Sequence, residues 1–176
     1  MPYRVSLSTC DPFGLVELSG VVSWTELGQA FRALYLDPRW APGADALWDA
    51  RAVTGFRLTP GEVSPDAPSD AASTMAELAS ARAGGRAAVV TRDLLVASLA
   101  RVLAELGPPT GRVVKTFPEV GDALAFLGRE AVPEGWEVVA SAPPARPTAL
   151  GEPPLGEPPR PDLPRLGRVR EGGSPH

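Results

Sequence analysis

Most side chains that carry enzyme chemistry are scarce in this chain. Its 176 residues include one cysteine, Cys10, and one histidine, His176, the last residue. An intramolecular disulfide, a zinc site of clustered Cys and His, a CxxC redox motif and a Ser–His–Asp or Cys–His nucleophile each need more of these residues than the chain has. The sequence therefore predicts a protein that is not an enzyme and that holds no metal and no cofactor.

The most prominent charged residues are two closely spaced pairs, Asp37 with Arg39 and Asp49 with Arg51. We expect Arg51 to bridge to Asp37 or Asp49 and to fix the turn after the first helix, with Trp40 folded over it. Such a pair fixes local geometry more than it stabilises, because desolvation cancels much of the attraction. The alternative makes Asp49 a general base at the end of a strand, where α/β sheets place ligands, but no nucleophile, metal or second acid stands near it in the sequence.

The overall charge argues against two classes of partner. Seventeen Lys and Arg against 21 Asp and Glu give a net charge of −4, which does not favour general binding to nucleic acid or to an anionic membrane surface. No run of about 18 apolar residues is present to span a bilayer, and the first ten residues lack the apolar stretch of a signal peptide. We therefore expect a cytoplasmic protein without a membrane span.

Proline divides the chain into a body and a tail. Eleven of the 21 prolines lie in residues 129–176, which also contain the direct repeat GEPPL and GEPPR. Proline removes amide donors and restricts the preceding residue to extended geometry, so this tail is predicted to be largely disordered. Its segment 135–141 contains three large apolar residues and is interpreted as a late edge strand or a docking segment. We expect one domain over residues 1–128.

The body alternates strand and helix patterns. Two β-rich runs, 3–8 and 15–22, flank a Pro/Gly turn and predict a hairpin. Short strands are predicted at 46–49, 86–91 and 112–117, and helices at 24–36, 69–83, 94–106 and 119–127. The predicted order is β-β-α-β-α-β-α-β-α, an α/β fold with a mixed sheet of about five strands flanked by helices.

Helix starts and helix faces can also be predicted. Ser23 and Glu26 form the pattern of a capping box, and Asp93 stands where it can cap a helix. In the helix that follows Asp93, the spacing predicts an inward stripe of Leu95, Leu99, Val102 and Leu106.

Several motifs resemble the bacterial SpoIIAA-like proteins of the STAS group. They are GLVELSG at 14–20, LDPRW at 36–40, LWDAR at 47–51 and AVV at 88–90, with Phe117 and ALAFL at 123–127. The resemblance covers about residues 3–128. It implies a STAS-like, non-enzymatic fold used for protein contacts or for small apolar ligands, with anti-sigma-factor antagonists as relatives and CRAL-TRIO lipid-transfer domains as more distant ones.

The resemblance also implies a regulatory position. Anti-sigma-factor antagonists carry a Ser or Thr at the start of the helix after the third strand, and Thr59 occupies that position here. A phosphate on Thr59 would lie at a helix N-terminus, beside the candidate anion-binding side chain Arg57. The alternative is that Thr59 only caps its helix.

Two functions follow as hypotheses. The first is a regulatory module that binds a protein partner. The second is a carrier of a small apolar or lipid-like ligand in a CRAL-TRIO-like pocket, which would need a cavity of ~300 Å³ or more. Residues expected to line such a cavity include Leu27, Phe31, Leu99 and Leu103.

Overall fold

The computed structural model describes residues 2–57, 76–105 and 109–142. Within them the elements run β1 (Tyr3–Ser8), β2 (Phe13–Ser23), α1 (Trp24–Tyr35), β3 (Asp45–Arg57), β4 (Arg86–Val90), α2 (Leu94–Glu105), β5 (Val113–Phe117), α3 (Val120–Phe126) and β6 (Trp136–Ser141). All six strands form one sheet in the order β5-β4-β3-β2-β1-β6. Strand β1 is antiparallel to β2 and β6, whereas β2 to β5 pair in parallel. The predicted α/β class with a mixed sheet is confirmed.

Each face of the sheet packs against a separate helix layer, because successive side chains of a strand point to opposite faces. On β3, Trp48 meets Phe31 of α1 with ring centroids 4.5 Å apart. Its neighbour Leu47 lies on the other face, in a core that it shares with Ala123 and Leu124 of α3. Trp48 and Trp40 are both buried in the core.

Helix α1 begins as its sequence predicts. The amide of Glu26 donates to Oγ of Ser23 at 3.2 Å, and the amide of Ser23 donates to Oε2 of Glu26 at 2.8 Å, which completes the capping box. Gly14 of β2 lets this helix approach the sheet, because a Cβ there would lie 2.4 Å from Cδ1 of Leu34. The cap sets where the helix starts, and the glycine sets how closely it packs.

Strand β3 is much longer than the predicted strand at 46–49. It runs to Arg57, and beyond Asp49 its pairing continues with β2 alone, because β4 reaches only as far as the Asp49↔Val90 pair. Asp49 therefore lies inside a strand and not at its end, which corrects the expected position. The residues after Asp49 alternate poorly in burial, since β3 bulges against β2, and this irregularity hides the strand from its sequence pattern.

The boundary between body and tail, expected at residue 128, would separate one strand of the sheet from the other five. Residues 136–141 form β6, the edge strand that pairs with β1, so of the two interpretations of this segment the structure shows the edge strand. The sheet thus has six strands where about five were predicted. The Cα positions place everything described up to residue 142 in one compact unit. The rest of the predicted disordered tail lies outside the described residues.

Two helix predictions need correction. Of the helix predicted at 69–83, residues 76–77 are helical and residues 78–82 form turns, so the helix ends earlier than predicted. Residues 69–75 lie outside the described residues. In α2 the predicted inward stripe is partly wrong. Leu99 packs against the core as predicted, but Leu95 and Val102 are 65% and 53% exposed, while Val96 and Leu103 are buried. Leu106 lies outside the described residues. Since Leu and Val occupy both sides of this helix, its apolar spacing fits two faces and the sequence does not choose between them.

Candidate functional site

Charged side chains from three strands line a groove on one face of the sheet. Arg4 of β1 lies opposite Glu17 of β2, and Glu17 pairs in register with Asp49 of β3. The groove has a volume of about 490 Å³ and is also lined by Arg51 and Ser19. Arg4 and Glu17 approach only to 3.8 Å, so this outer ion pair is loose.

A bulge shapes the groove. The register between β2 and β3 shifts between Glu17 and Ser19, where β3 has one residue more than its partner. As a result Arg51 and Ala52 are both exposed although they are consecutive. The Arg51 side chain folds back on its own strand and donates from Nε to Oδ1 of Asp49 at 2.9 Å and from Nη2 to Oδ2 at 2.6 Å.

This pairing decides what Asp49 can do chemically. The hydrogen bonds from Arg51 lower the pKa of Asp49 below its ordinary value, against an opposing effect of burial. A general base works best with a pKa near the operating pH, and a carboxylate held ionised by a bidentate guanidinium is a poor one. The geometry therefore favours a structural pair at this position.

A second charged cluster ties the end of α1 to the edge strand β6. Arg39 donates from Nε to Oδ1 of Asp37 at 2.9 Å and from Nη1 to Oε2 of Glu137 at 2.6 Å. The hydrogen bonds from Arg39 hold the pKa of Asp37 below its ordinary value. Sequence spacing suggested the Asp37–Arg39 pair, whereas Glu137 is a partner 98 residues away in sequence that no local pattern reveals.

The five residues expected to form one turn cluster fall into three places. Of the two partners expected for Arg51, the structure shows Asp49, and Asp37 pairs with Arg39 instead. Trp40 does not fold over Arg51, which corrects that expectation. Its ring meets Tyr35 edge-on at 5.2 Å, and its Nε1 donates to the carbonyl of Ala81 at 2.9 Å.

The side chain that Trp40 does cover is Arg112, which sequence reasoning missed. The Arg112 guanidinium lies 5.6 Å from the Trp40 ring and 5.5 Å from the Tyr35 ring. It donates to the carbonyl oxygens of Arg82, Arg86 and Ala44, at 3.0, 3.0 and 2.8 Å. Backbone acceptors have no sequence signature, so nothing in the residue pattern around Arg112 indicates this role.

The predicted regulatory position is only partly visible. Arg57, the candidate anion-binding residue, is the last residue of β3 and is exposed. Thr59 lies outside the described residues, so its phosphorylation stays a prediction. Intact-mass analysis of protein isolated from its own cells tests it, and an unmodified mass in several growth states would count against it.

An apolar cavity lies on the opposite face of the sheet, between α1 and α2. All four residues expected to line a ligand cavity border it, namely Leu27 and Phe31 from α1 and Leu99 and Leu103 from α2. Its volume is about 60 Å³, well below the ~300 Å³ of a typical ligand pocket. The predicted lining is therefore correct, but the space within it is small.

A third feature lies on the outside of α2. Leu94, Leu95 and Val102 are exposed by 84%, 65% and 53%, and Ser98 lies exposed between them. Residues three, four and seven positions apart share one side of a helix, so these four form a continuous strip, here called the α2 stripe. Helix α2 packs on β5, which is an edge strand of the sheet.

Two further searches concern the described part of the chain alone. Its His, Cys, Asp and Glu side chains form no group of three or more that could hold a metal ion. None of its helices combines the length and the apolar character needed to cross a membrane.

The chain was compared with protein families, curated proteins and solved structures, and only solved structures are similar to it. No family model and no curated protein matches the chain. The chain is similar to the crystal structure of an uncharacterised protein of the DUF3478 family from Shewanella loihica PV-4, which is described as having a SpoIIAA-like fold. The similarity has a TM-score of 0.45 at 20% sequence identity and covers 71% of this chain and 91% of that one.

Proposed function

We propose that the protein is a non-enzymatic module that acts by binding a protein partner. The observation that carries the proposal is the α2 stripe, because Leu94, Leu95 and Val102 are large apolar side chains exposed together on one helix. Isolated exposed apolar residues are normal on soluble proteins, whereas contiguous ones mark interaction surfaces. Leu94 and Leu95 also stand at the start of the helix that follows β4. They therefore lie at the carboxyl end of a parallel strand, where α/β folds place binding sites.

The charged groove supports binding over catalysis. Its best-placed carboxylate, Asp49, forms an ion pair with Arg51, and this pairing lowers the pKa of Asp49. The groove and the α2 stripe thus offer contacts without an activated acid, base or nucleophile. A contact surface of this kind fits a regulatory role.

A photo-crosslinking amino acid at position 95, introduced in the cells that make the protein, tests the proposal. The matched control is position 36, because Leu36 is also an exposed leucine, at 51%, but lies at the end of α1. We expect a defined protein adduct from position 95 and none from position 36. The adduct from position 95 should disappear when Val102 is replaced by Asp. It should persist when Leu36 is replaced by Asp. Absence of any protein adduct at position 95 would contradict the proposal.

A second candidate function is the carrier of a small apolar ligand. The cavity between α1 and α2 favours it, because its lining is apolar and includes Leu27, Phe31, Leu99 and Leu103. At about 60 Å³ the cavity would have to widen around any ligand larger than a few atoms. Mass spectrometry of organic extracts from the purified protein tests the candidate: a stoichiometric apolar compound would support it, and an empty extract would count against it.

A further inference from the structure

The apolar cavity between α1 and α2 has one charged end. Among the described residues that border it, Arg82 and Arg112 are charged, and the others are aliphatic or aromatic. The Arg112 guanidinium lies 5.5 Å from the ring of Tyr35, and the Arg82 side chain donates a hydrogen bond to the Tyr35 hydroxyl. Both positive charges are therefore gathered around the last residue of α1.

The cavity extends along both helices away from this end. Helix α1 connects the parallel strands β2 and β3, and α2 connects the parallel strands β4 and β5, so both helices run against the strands and in the same direction as each other. Their last turns lie at the charged end, and their first turns lie at the other. Leu27 and Tyr35 of α1 are about 12 Å apart along the helix axis, at 1.5 Å per residue. The space is thus elongated, with an apolar end near Leu27 and a cationic end near Tyr35.

The charged end is an environment in which a negative charge is favourable. Arg82 is only 4% exposed. Burial lowers the pKa of Arg82 below its ordinary value, and the nearby positive charge of Arg112 lowers it further. Since both effects act against the positive charge of Arg82, an anionic group beside the two guanidinium groups would oppose both.

Arg112 also retains hydrogen-bond donors for such a group. Three of the five N–H donors of its guanidinium bond to the carbonyl oxygens of Arg82, Arg86 and Ala44, which leaves two. Within the described part of the chain its contacts are these carbonyls and two aromatic rings, and no carboxylate is among them. Hydrogen bonds between a guanidinium and an anion are about twice as strong as those between neutral groups.

From this arrangement we propose that the cavity takes an aliphatic chain with an anionic head group, such as a short fatty acid, with its carboxylate at Arg82 and Arg112 and its chain directed toward Leu27. The inference rests on the second candidate function, the carrier, and names the class of its ligand. A neutral ligand would leave the two positive charges without a counter-charge, and a cationic one would be repelled. Because the cavity is only about 60 Å³ and must widen around the chain, a short chain is expected.

Isothermal titration calorimetry of the full chain with three eight-carbon probes tests the head group. The probes are octanoate, octanol and octylamine, each below its micelle-forming concentration, and they differ in charge but not in chain length. We expect octanoate to bind at least ~10-fold more tightly than octanol, because hydrogen bonds to a charged group are the stronger ones, and octylamine to bind most weakly. Failure of octanoate to bind, or equal binding of octanol, would overturn the inference.

Two matched variants locate the effect. Arg82→Met removes one guanidinium but keeps a long apolar side chain, so it should weaken octanoate binding about tenfold and leave octanol binding unchanged. Arg4→Met removes the same charge from an exposed position in the groove on the opposite face and should bind octanoate like the wild type. Circular dichroism checks that both variants are folded, and the comparison of probes on the wild type does not depend on them. Equal weakening by the two variants would show that net charge, and not the cavity, controls binding.

The outcomes also separate this inference from the function on which it rests. A stoichiometric carboxylic acid in the organic extract of the purified protein supports both. A neutral apolar compound in the extract, or octanol bound as tightly as octanoate, overturns the anionic head group and leaves the carrier standing. An empty extract, together with no binding of any of the three probes, overturns both.

Discussion

Arg112 joins four parts of the fold through a single side chain. Its guanidinium donates to three backbone carbonyls, from Arg82, Arg86 and Ala44, and lies against Tyr35 and Trp40. Removing it leaves carbonyl oxygens without their donor, and each such loss costs about 1 kcal/mol or more. The residue therefore holds these parts of the fold together, and it also borders the apolar cavity between α1 and α2.

We predict that Arg112→Ala lowers the free energy of unfolding by about 3 kcal/mol, measured by urea denaturation. Arg112→Lys should recover less than half of this, because one ammonium group cannot reach three divergent carbonyls and does not stack on rings as a guanidinium does. Arg4→Ala is the control, since Arg4 makes one loose, exposed ion pair and should change stability by less than ~0.5 kcal/mol. Equal effects at the two positions would contradict the structural role of Arg112.

The Asp49–Arg51 pair gives a pH-dependent prediction. The pKa of Asp49 is lowered in the folded protein, so the pair stabilises above the pKa of the unfolded carboxyl, near 4, and that contribution is lost as the pH falls through the lower folded value. Arg51 is half exposed, so the contribution is at most about 1 kcal/mol. Asp49→Asn should therefore cost stability at pH 7 and cost less below pH 4. A pH-independent difference in urea denaturation would show that Asp49 does not titrate through this pair.

At the residue level, sequence reveals pairs that are local and misses those that are not. Asp37 with Arg39 and Asp49 with Arg51 stand two positions apart and can be proposed from spacing. Glu137 reaches Arg39 only because β6 pairs with β1, and Arg112 bonds to backbone atoms. Their partners depend on topology, which the residue pattern does not specify.

At the scale of single elements, helix starts were predictable and helix faces were less so. Hydrogen bonds at Ser23 and at Asp93 cap α1 and α2, as their residue types predict.

We expect Ser23→Ala to lower the free energy of unfolding by about 1 kcal/mol, because the backbone amide of Glu26 then loses the Ser23 hydroxyl that accepts its hydrogen bond. Ser23→Thr keeps a hydroxyl that can accept from the Glu26 amide and donate to the Glu26 carboxylate, so it should retain most of the stability in the same thermal or urea measurement. A loss as large as that of Ser23→Ala would contradict the capping role.

The rotated face of α2 has its own consequence. A nearly all-apolar helix must leave some apolar side chains outside, and here Leu95 and Val102 are outside while Ala100 faces the cavity. Burial thus depends on how the helix meets β5, information that lies in the sheet and not in the helix sequence. The same rotation produces both the exposed stripe and the space behind it.

Filling that space should stabilise the protein. Ala100→Leu places an isobutyl group in a cavity of about 60 Å³, and we expect the free energy of unfolding to rise by about 1 kcal/mol. Ala125→Leu, the same change at an exposed position of α3, should alter it by less than ~0.5 kcal/mol. Destabilisation by Ala100→Leu alone would mean that the walls cannot accept the added group.

At the scale of the whole molecule, β6 forms one edge of the sheet and is the last strand of the described part of the chain. It pairs with β1 over five residue positions, its Trp136 meets Phe13 of β2 at 5.8 Å, and its Glu137 holds Arg39. The sequence predicted the order of the described strands and helices from β1 to α3, but its proline count placed the boundary before β6. A short edge strand with mixed burial is hard to separate from a tail by composition, because its pairing partner lies at the other end of the chain.

Two truncations test the role of β6. A chain ending at residue 142 keeps all six strands that the structure describes, and we expect its urea denaturation to match that of the full chain. A chain ending at residue 128 loses β6, leaves the backbone of β1 unpaired along one side and removes the contacts of Trp136 and Glu137. The lost ladder alone is worth about 3–5 kcal/mol, a large share of the 5–15 kcal/mol that holds a typical domain folded. The shorter chain should therefore be largely unfolded at 37 °C or aggregate through its exposed edge. If it instead unfolds as cooperatively and at the same urea concentration as the 142-residue chain, β6 is an appendage and the domain ends where the prolines begin.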